Sequence, residues 1–417
     1  MLTANFVPNP FTTSLVGTGV FNGLALPSAT QPAPNGTTPG VDNVGLLSLA
    51  LTSKGSFTGT LKINGESLST PGFFDNAGVA RFNITTRATT LTFVRAGKPD
   101  IEMSLQLDMS GGSGTITGTV TQKLTGVVQT LSTVTADRAQ YSATNKLSSS
   151  LAGTATKPYT VIFPGKTQTP AKDSKTYPQG DGFATMTVNV NGTVSLTGKL
   201  ADHTPITASA PLSKLNLWPV FAQLYNLKGS IAGMAALSDA SASDEDVAGS
   251  NLLWFRPDPV PLVEVQWYKH GWPGGITVDL NGARYVIPPT MPLPTPSVFP
   301  GLGAVNAGTG NATLTLTGGL LNPETLSSNI NIALTNVVTN APVPATPALL
   351  AASPTMLITR ASGLFTGTFT HTDLTKPAFQ GVIIQKGSKK GGSGYFMSRP
   401  TPLNGLGESG KVQVLAK

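Results

Sequence analysis

The chain contains 417 residues, of which 46 are glycine, 33 are proline and none is cysteine. This length predicts two or three domains, and the 39% hydrophobic content excludes wholesale disorder. Without cysteine there are no disulfides or thiolate metal sites, and the net charge of +7 comes from scattered lysine and arginine.

The first ten residues carry no basic segment followed by an apolar stretch, so no signal peptide is visible. No run approaches the roughly 20 apolar residues of a membrane-spanning helix. The densest basic group, Lys386, Lys389 and Lys390, is short. We therefore predict neither membrane insertion nor a nucleic-acid partner.

Strand signals dominate the chain. Residues 105–109, 185–190 and 312–317 alternate apolar and polar side chains with a period of two, which is typical of half-buried antiparallel strands. Helical signals are confined to residues 217–225 and 345–352, both short and flanked by proline.

A Gly-x-apolar-x-Gly-x-apolar motif recurs along the chain. Copies begin at Gly55, Gly114, Gly229 and Gly363, and a stretched copy begins at Gly192. The first glycine is expected to close a tight turn with positive φ. The second is expected to lie on the inward face of the strand, where a missing side chain permits close packing or sharp coiling.

These observations predict an all-β fold of two or three antiparallel sandwich- or barrel-like meander units with weak internal repeats. The expected ranges are 1–150, 151–290 and 291–417. Segments rich in proline at residues 27–40 and 288–300 are read as linkers between units or strands. The third unit is expected either to fold alone or to pack with the others.

An acidic cluster is the only candidate metal site, and it comprises Asp239, Asp244, Glu245 and Asp246. Calcium takes about six to eight oxygen ligands, often from one flexible loop. The EF-hand pattern is not matched, because alternate carboxylates and a central glycine are missing. Two interpretations remain, a weak Ca²⁺ site and a solvated hairpin loop.

Aromatic residues concentrate between residues 254 and 272. The candidate ligand-binding side chains are Trp254, Trp267, Tyr268 and Trp272. Flat rings on a sheet can stack on sugars, and nearby polar groups can bind hydroxyls. The alternative is a core cluster or an interface between units, since large aromatic residues dominate both.

No catalytic residue is predicted. The three histidines form no metal-binding pair, and no G-x-S-x-G nucleophile motif is present. His203 and His371 follow glycine motifs at similar positions, and we expect both to be surface turn residues.

Several segments taken together are similar to a known group of sequences. They are residues 177–183 (YPQGDGF), 196–202 (LTGKLAD), 253–257 (LWFRP), 379–385 (FQGVIIQ) and 392–396 (GSGYF). The set resembles uncharacterised β-rich regions near the C-terminal ends of large secreted proteins of verrucomicrobial bacteria. The resemblance covers most of the chain, in order. It implies export and an extracellular or cell-surface location, and it supplies no catalytic residues.

The leading functional expectation is a noncatalytic extracellular or cell-surface module of the structural or adhesion type, partnered by itself or by other surface proteins. One alternative is a carbohydrate-binding protein that uses the aromatic region to bind a glycan. A second alternative is a secreted hydrolase with an unrecognised site.

Overall fold

A computed structural model describes residues 9–11, 18–27, 40–124, 127–153, 158–169, 171–239, 244–258, 267–288, 297–341, 353–398 and 406–417. These residues form three antiparallel sheets, and their helical elements are the 3-10 turns Val41–Asn43 and Ser174–Thr176. The predicted all-β fold is confirmed. In this described part of the chain, no helix is long and apolar enough to cross a membrane.

The first sheet has ten strands. They are β1 (Gly19–Pro27), β2 (Gly45–Leu51), β3 (Ser56–Ile63), β4 (Glu66–Ser69), β5 (Gly72–Phe74), β6 (Ala80–Arg81), β7 (Leu91–Phe93), β8 (Ile101–Leu107), β9 (Thr115–Leu124) and β10 (Val127–Arg138). Because β1 pairs with both β2 and β10, the chain returns to lie beside its own first strand.

The second sheet has eight strands. They are β11 (Tyr159–Phe163), β12 (Gly182–Val188), β13 (Thr193–Lys199), β14 (Pro205–Pro211), β15 (Leu217–Leu224), β16 (Gly229–Leu237), β17 (Val247–Arg256) and β18 (Trp272–Arg284). Here β11 pairs with β18, so the first and last strands again meet.

The third sheet also has eight strands. They are β19 (Ala312–Gly318), β20 (Thr325–Ile332), β21 (Val338–Asn340), β22 (Thr355–Thr359), β23 (Leu364–Thr368), β24 (Ala378–Ile384), β25 (Gly391–Met397) and β26 (Ser409–Ala416). Strands β19 and β26 pair in the same way.

Each sheet is therefore a meander that curls back on itself, and the three units are barrel-like, two nearly closed and one a half-barrel. The uncovered edges of the second sheet are β14 and β15, which follow one another in sequence. In the third sheet, a bridge between Val337 and Leu357 draws the two edges together. The three sheets lie within the three predicted ranges, whose independent folding stays a prediction.

The first glycine of the motif lies in the tight turn that precedes a strand. This glycine has φ of +81° at Gly55, +54° at Gly114, +78° at Gly192 and +72° at Gly363. Glycine suits these turns because it adopts positive φ without a Cβ penalty. Gly229 departs from the predicted turn role, because it is the first residue of β16 and pairs with Leu224 in the ladder.

The second glycine of the motif permits close approach of the neighbouring strand. A Cβ would lie 2.3 Å from a neighbouring-strand carbonyl oxygen at Gly59, 2.2 Å at Gly118, 2.1 Å at Gly198 and 2.0 Å at Gly367. Backbone atoms cannot move aside as the end of a side chain can. These glycines are therefore required by packing between strands, as the sequence predicts.

Each unit has its own apolar core. Representative members are Phe57 and Leu105 in the first, Trp218 and Trp254 in the second, and Phe365 and Phe396 in the third. Two further clusters join neighbouring units. The first junction, between units one and two, comprises Leu24, Val44, Phe221, Ala232 and Phe255. The second junction, between units two and three, comprises Ile162, Phe183, Ala201, Ala283, Val382, Ile384 and Tyr395.

The helix suggested for residues 217–225 is wrong, because this segment is strand β15. Trp218 and Val220 face the core of the second unit, whereas Phe221 faces the first junction. Both faces of the strand are therefore apolar, and the period-two signal is lost from its sequence. The other suggested helix, at residues 345–352, lies outside the described residues, as do residues 28–39 and 289–296 of the predicted linkers.

Candidate functional site

The predicted aromatic platform is largely buried. Trp254, Tyr268 and Trp272 are 2%, 5% and 4% exposed. Trp254 and Trp272 meet edge to face with ring centroids 4.8 Å apart, and Tyr268 packs on Trp272 at 5.7 Å. These three rings belong to the core of the second unit, which is the alternative role considered for them, and they leave no open face for a sugar.

Trp267 differs from the other three, because it is only half-buried. Its indole Nε1 donates to the carbonyl oxygen of Ser398 at 2.6 Å, which ties the second unit to the third. A Cβ on Gly407 would lie 2.3 Å from the same Nε1, so the glycine makes room for the ring. The orientation of this indole is therefore fixed by the third unit.

A buried polar network lies behind Trp267. Arg256 donates to Asp202 Oδ2 at 2.9 Å and to the carbonyl oxygen of Trp267 at 3.1 Å. The Tyr225 hydroxyl donates to Asp202 Oδ2 at 2.7 Å and accepts from Trp254 Nε1 at 2.9 Å. Burial and the adjacent carboxylate raise the pKa of Tyr225 well above its usual value. The network therefore keeps its charges paired and its phenol protonated.

In front of this network, a pocket of about 430 Å³ opens between the second and third units. Its wall combines His203, from the turn between β13 and β14, with Trp267 and with Gln380 and Tyr395 of β24 and β25. The volume falls within the range of about 300–1,000 Å³ that is usual for ligand pockets. The wall of the pocket combines aromatic, apolar and polar side chains, as ligand-binding sites do, and the pocket is therefore a candidate binding site.

Hydrogen bonds fix the polar wall of the pocket. His203 Nδ1 lies 3.0 Å from Tyr395 Oη and 3.1 Å from Gln380 Nε2, and Gln380 Nε2 donates to Tyr395 Oη at 2.8 Å. Lys199 Nζ donates to Gln380 Oε1 at 3.3 Å and approaches His203 Nε2 at 3.4 Å.

The protonation of His203 follows from these neighbours. Partial burial and the charge of Lys199 lower the pKa of His203, against an opposing effect of Asp202. Lys199 Nζ and Gln380 Nε2 both only donate, and they approach the two ring nitrogens of His203 at 3.4 and 3.1 Å. His203 Nδ1 and the Tyr395 hydroxyl, 3.0 Å apart, share one hydrogen bond. Burial raises the pKa of Tyr395, so its hydroxyl keeps its hydrogen.

The two histidines that follow the glycine motif are not equivalent. His203 has φ of 72° and precedes Thr204, whose amide donates to Asp202 at 3.0 Å. In the third unit the amide of Thr375 donates to Asp373 at 2.9 Å in the same way. The residue that corresponds to His203 is therefore Leu374, with φ of 67°.

The expectation that both histidines are surface residues is correct for His203 and wrong for His371, which is 2% exposed. His371 Nε2 lies 3.0 Å from the carbonyl oxygen of Gly319, and the ring packs against Phe369 and Phe396.

Two side chains of the acidic cluster bind different partners in the third unit, rather than facing a common point. Glu245 accepts from the amide and hydroxyl of Ser388 at 3.1 and 2.6 Å. Asp246 binds Lys386 at 2.7 Å and accepts from the amide of Arg284 at 2.8 Å. The predicted basic group thus supplies a partner for the predicted acidic cluster.

Asp239 and Asp244 are exposed, and residues 240–243 between them lie outside the described residues. Within the described residues, no group of three or more His, Asp or Glu side chains is arranged to hold a metal ion. The Ca²⁺ site stays a prediction.

Sequence reasoning missed Gln380, Tyr395 and Lys376, which also lines the pocket. They are far from residues 203 and 267 in the chain, and no local motif marks them. No protein-family model matches the chain, and no curated protein matches it significantly.

Proposed function

We propose that the chain is a noncatalytic structural module of an extracellular or cell-surface protein, in which three barrel-like units are braced into one body. The observation that carries the proposal is the second junction. There, acidic, basic and hydroxyl side chains of two units bind one another across an apolar contact.

The apolar part of this junction is buried on both sides. Ile162 and Ala283 of the second unit are 1% and 0% exposed, and they pack with Val382 and Ile384 of the third unit, both at 0%. Burial of apolar surface contributes about 25 cal/mol per Å². This contact therefore favours one fixed arrangement of the two units.

Polar contacts at the same junction set its register. The Thr160 hydroxyl donates to the carbonyl oxygen of Ile383 at 2.7 Å. Asp181, 1% exposed, binds Lys411 at 3.0 Å, and its carboxylate also accepts from the Ser393 hydroxyl. Buried ion pairs add little net stability, but a misplaced pair leaves buried charges unpaired. The polar contacts thus select the arrangement that the apolar contacts stabilise.

The first junction braces the other pair of units. Phe221 and Phe255 of the second unit pack with Leu24 and Val44 of the first. The amide of Gln140, just after the first sheet, donates to the carbonyl oxygen of Leu212 at 3.1 Å. All three units are therefore connected by buried contacts, as one braced body requires.

The proposal is tested by opening the second junction without disturbing a core. Val382 belongs to the junction cluster and not to the core of the third unit, so Val382→Asp places an unpaired charge in the contact alone. Leu357→Asp is the matched control, because Leu357 is 67% exposed on the same unit.

Small-angle X-ray scattering is the measurement. We expect an increased radius of gyration and a broadened distance distribution for Val382→Asp, with the control identical to wild type. A wild-type profile that already requires freely moving units would contradict the proposal, as would a Val382→Asp profile unchanged from wild type.

Self-association belongs to the same proposal. Strand β7 is at the edge of the first sheet, and Val94, directly after it, is 83% exposed. Open edges with exposed apolar residues favour pairing with another copy. Sedimentation velocity should show concentration-dependent dimers that Val94→Lys weakens. A monomer at all concentrations would remove self-association from the proposal.

A further inference from the structure

The pocket between the second and third units is lined by one aromatic ring and by polar side chains. Trp267 is half-buried: it packs against the second core and its Nε1 is bound to Ser398, so the exposed part of the ring borders the pocket. An indole face packs well against the C–H face of a sugar ring, which is apolar and similar in width.

The polar wall opposite is held by its own hydrogen bonds. Gln380 donates to Tyr395 Oη at 2.8 Å, and Tyr395 Oη lies 3.0 Å from His203 Nδ1. Lys376 is exposed on the pocket wall and makes no ion pair with a residue of the described part. Its ammonium suits an oxygen acceptor on the ligand.

The charge of the site is positive. Lys376 and Lys199 contribute cations, and Asp202, next to His203, is paired with Arg256 at 2.9 Å. A neutral sugar would leave Lys376 without a counter-ion, whereas a carboxylate on the sugar would supply one.

We propose that this pocket binds a saccharide unit bearing a carboxylate, stacked on Trp267, with its carboxylate facing Lys376 and its hydroxyls facing the polar wall. The site lies across two units, so it exists only while the second junction is intact. The proposed glycan position is therefore separate from Trp254, Tyr268 and Trp272, which are buried in the core of the second unit.

The test uses the full chain with sodium glucuronate and sodium galacturonate, and with glucose as the neutral probe. Isothermal titration at low ionic strength should give saturable one-to-one binding of at least one uronate in the millimolar range, with glucose weaker. Added salt should weaken the uronate complex, because the contact with Lys376 is exposed.

Three variants assign the binding to this pocket. Trp267→Ala should weaken uronate binding about tenfold through loss of the stacking face. Lys376→Gln, at an exposed position that leaves the fold intact, should weaken it about two- to fivefold, since exposed charge pairs contribute little. Lys62→Gln, an exposed lysine of the first unit, should leave it unchanged.

The proposal is overturned if neither uronate binds the wild-type chain. It is also overturned if glucose binds as tightly as the uronates, or if Lys376→Gln and Lys62→Gln bind uronate equally well. Because Lys376→Gln does not depend on the packing of Trp267, the test remains decisive even where Trp267→Ala is poorly folded.

Discussion

Gly180 tests how tightly the second and third units are packed. This glycine precedes β12, and a Cβ on it would lie 2.4 Å from Tyr395 Cβ, 2.7 Å from the carbonyl oxygen of Gly410 and 2.9 Å from Ser409 Oγ. All three atoms belong to the third unit. Two of them are fixed by the ladder between β25 and β26, so the added methyl group must push the two units apart.

The expected cost of Gly180→Ala is that of overpacking a close-packed contact, about 1–3 kcal/mol. If all 417 residues unfold as one cooperative body, this corresponds to a decrease in Tm of about 1–4 °C. Gly303→Ala is the control, because Gly303 is exposed and its Cβ would meet nothing within 4 Å. It should be neutral or stabilising by up to about 1 kcal/mol.

Differential scanning calorimetry of the full chain measures both variants. A Tm for Gly180→Ala equal to that of wild type and of Gly303→Ala would refute the reasoning. It would mean that the second junction is loose enough to accept a methyl group.

Three further predictions concern the strand contacts, the first junction and acid stability. Gly198→Ala should lower the free energy of unfolding in urea by several kcal/mol, because its Cβ would lie 2.1 Å from the carbonyl oxygen of Phe183. A variant as stable as wild type would contradict the close approach of the two strands. Phe221→Ala should cost about 3–5 kcal/mol, and a loss under about 1 kcal/mol would show that the first junction is not buried. The Ser388 hydroxyl bond lowers the pKa of Glu245, so this stabilisation is present above pH ~4.5 and is lost as pH falls through the folded-state pKa. The urea midpoint should therefore fall less between pH 7 and pH 3 for Glu245→Gln than for wild type. An equal fall in both proteins would show that Glu245 does not contribute to acid stability.

Local patterns in the sequence were enough to predict the fold class. The glycine motif combines a turn and an inward strand position within seven residues. The need for glycine at both positions can therefore be recognised from the local sequence alone. The positive φ of Gly55 and the close approach at Gly59 are both consequences of that local pattern. Apolar and polar residues do not alternate in β15, because Phe221 faces the first unit, a contact that the local sequence pattern does not indicate.

The candidate site depends on contacts between distant segments, and these were not predictable. Residues 203 and 395 meet only because the second and third units pack together. Trp254 and Trp267 look alike in sequence, but the first fills a core and the second borders a pocket. Composition singled out the aromatic region, whereas burial separates the three core rings from the half-buried Trp267.

The central claim is that the units are braced into one body, and the tryptophans allow a direct test. All four, Trp218, Trp254, Trp267 and Trp272, lie in the range of the second unit, so their fluorescence reports that unit and, through Trp267, its contact with the third unit. Far-ultraviolet circular dichroism reports the strands of all three. A braced body predicts that urea unfolding followed by the two signals gives coincident curves with one midpoint. Separate midpoints would show that the second unit unfolds independently and would contradict the account.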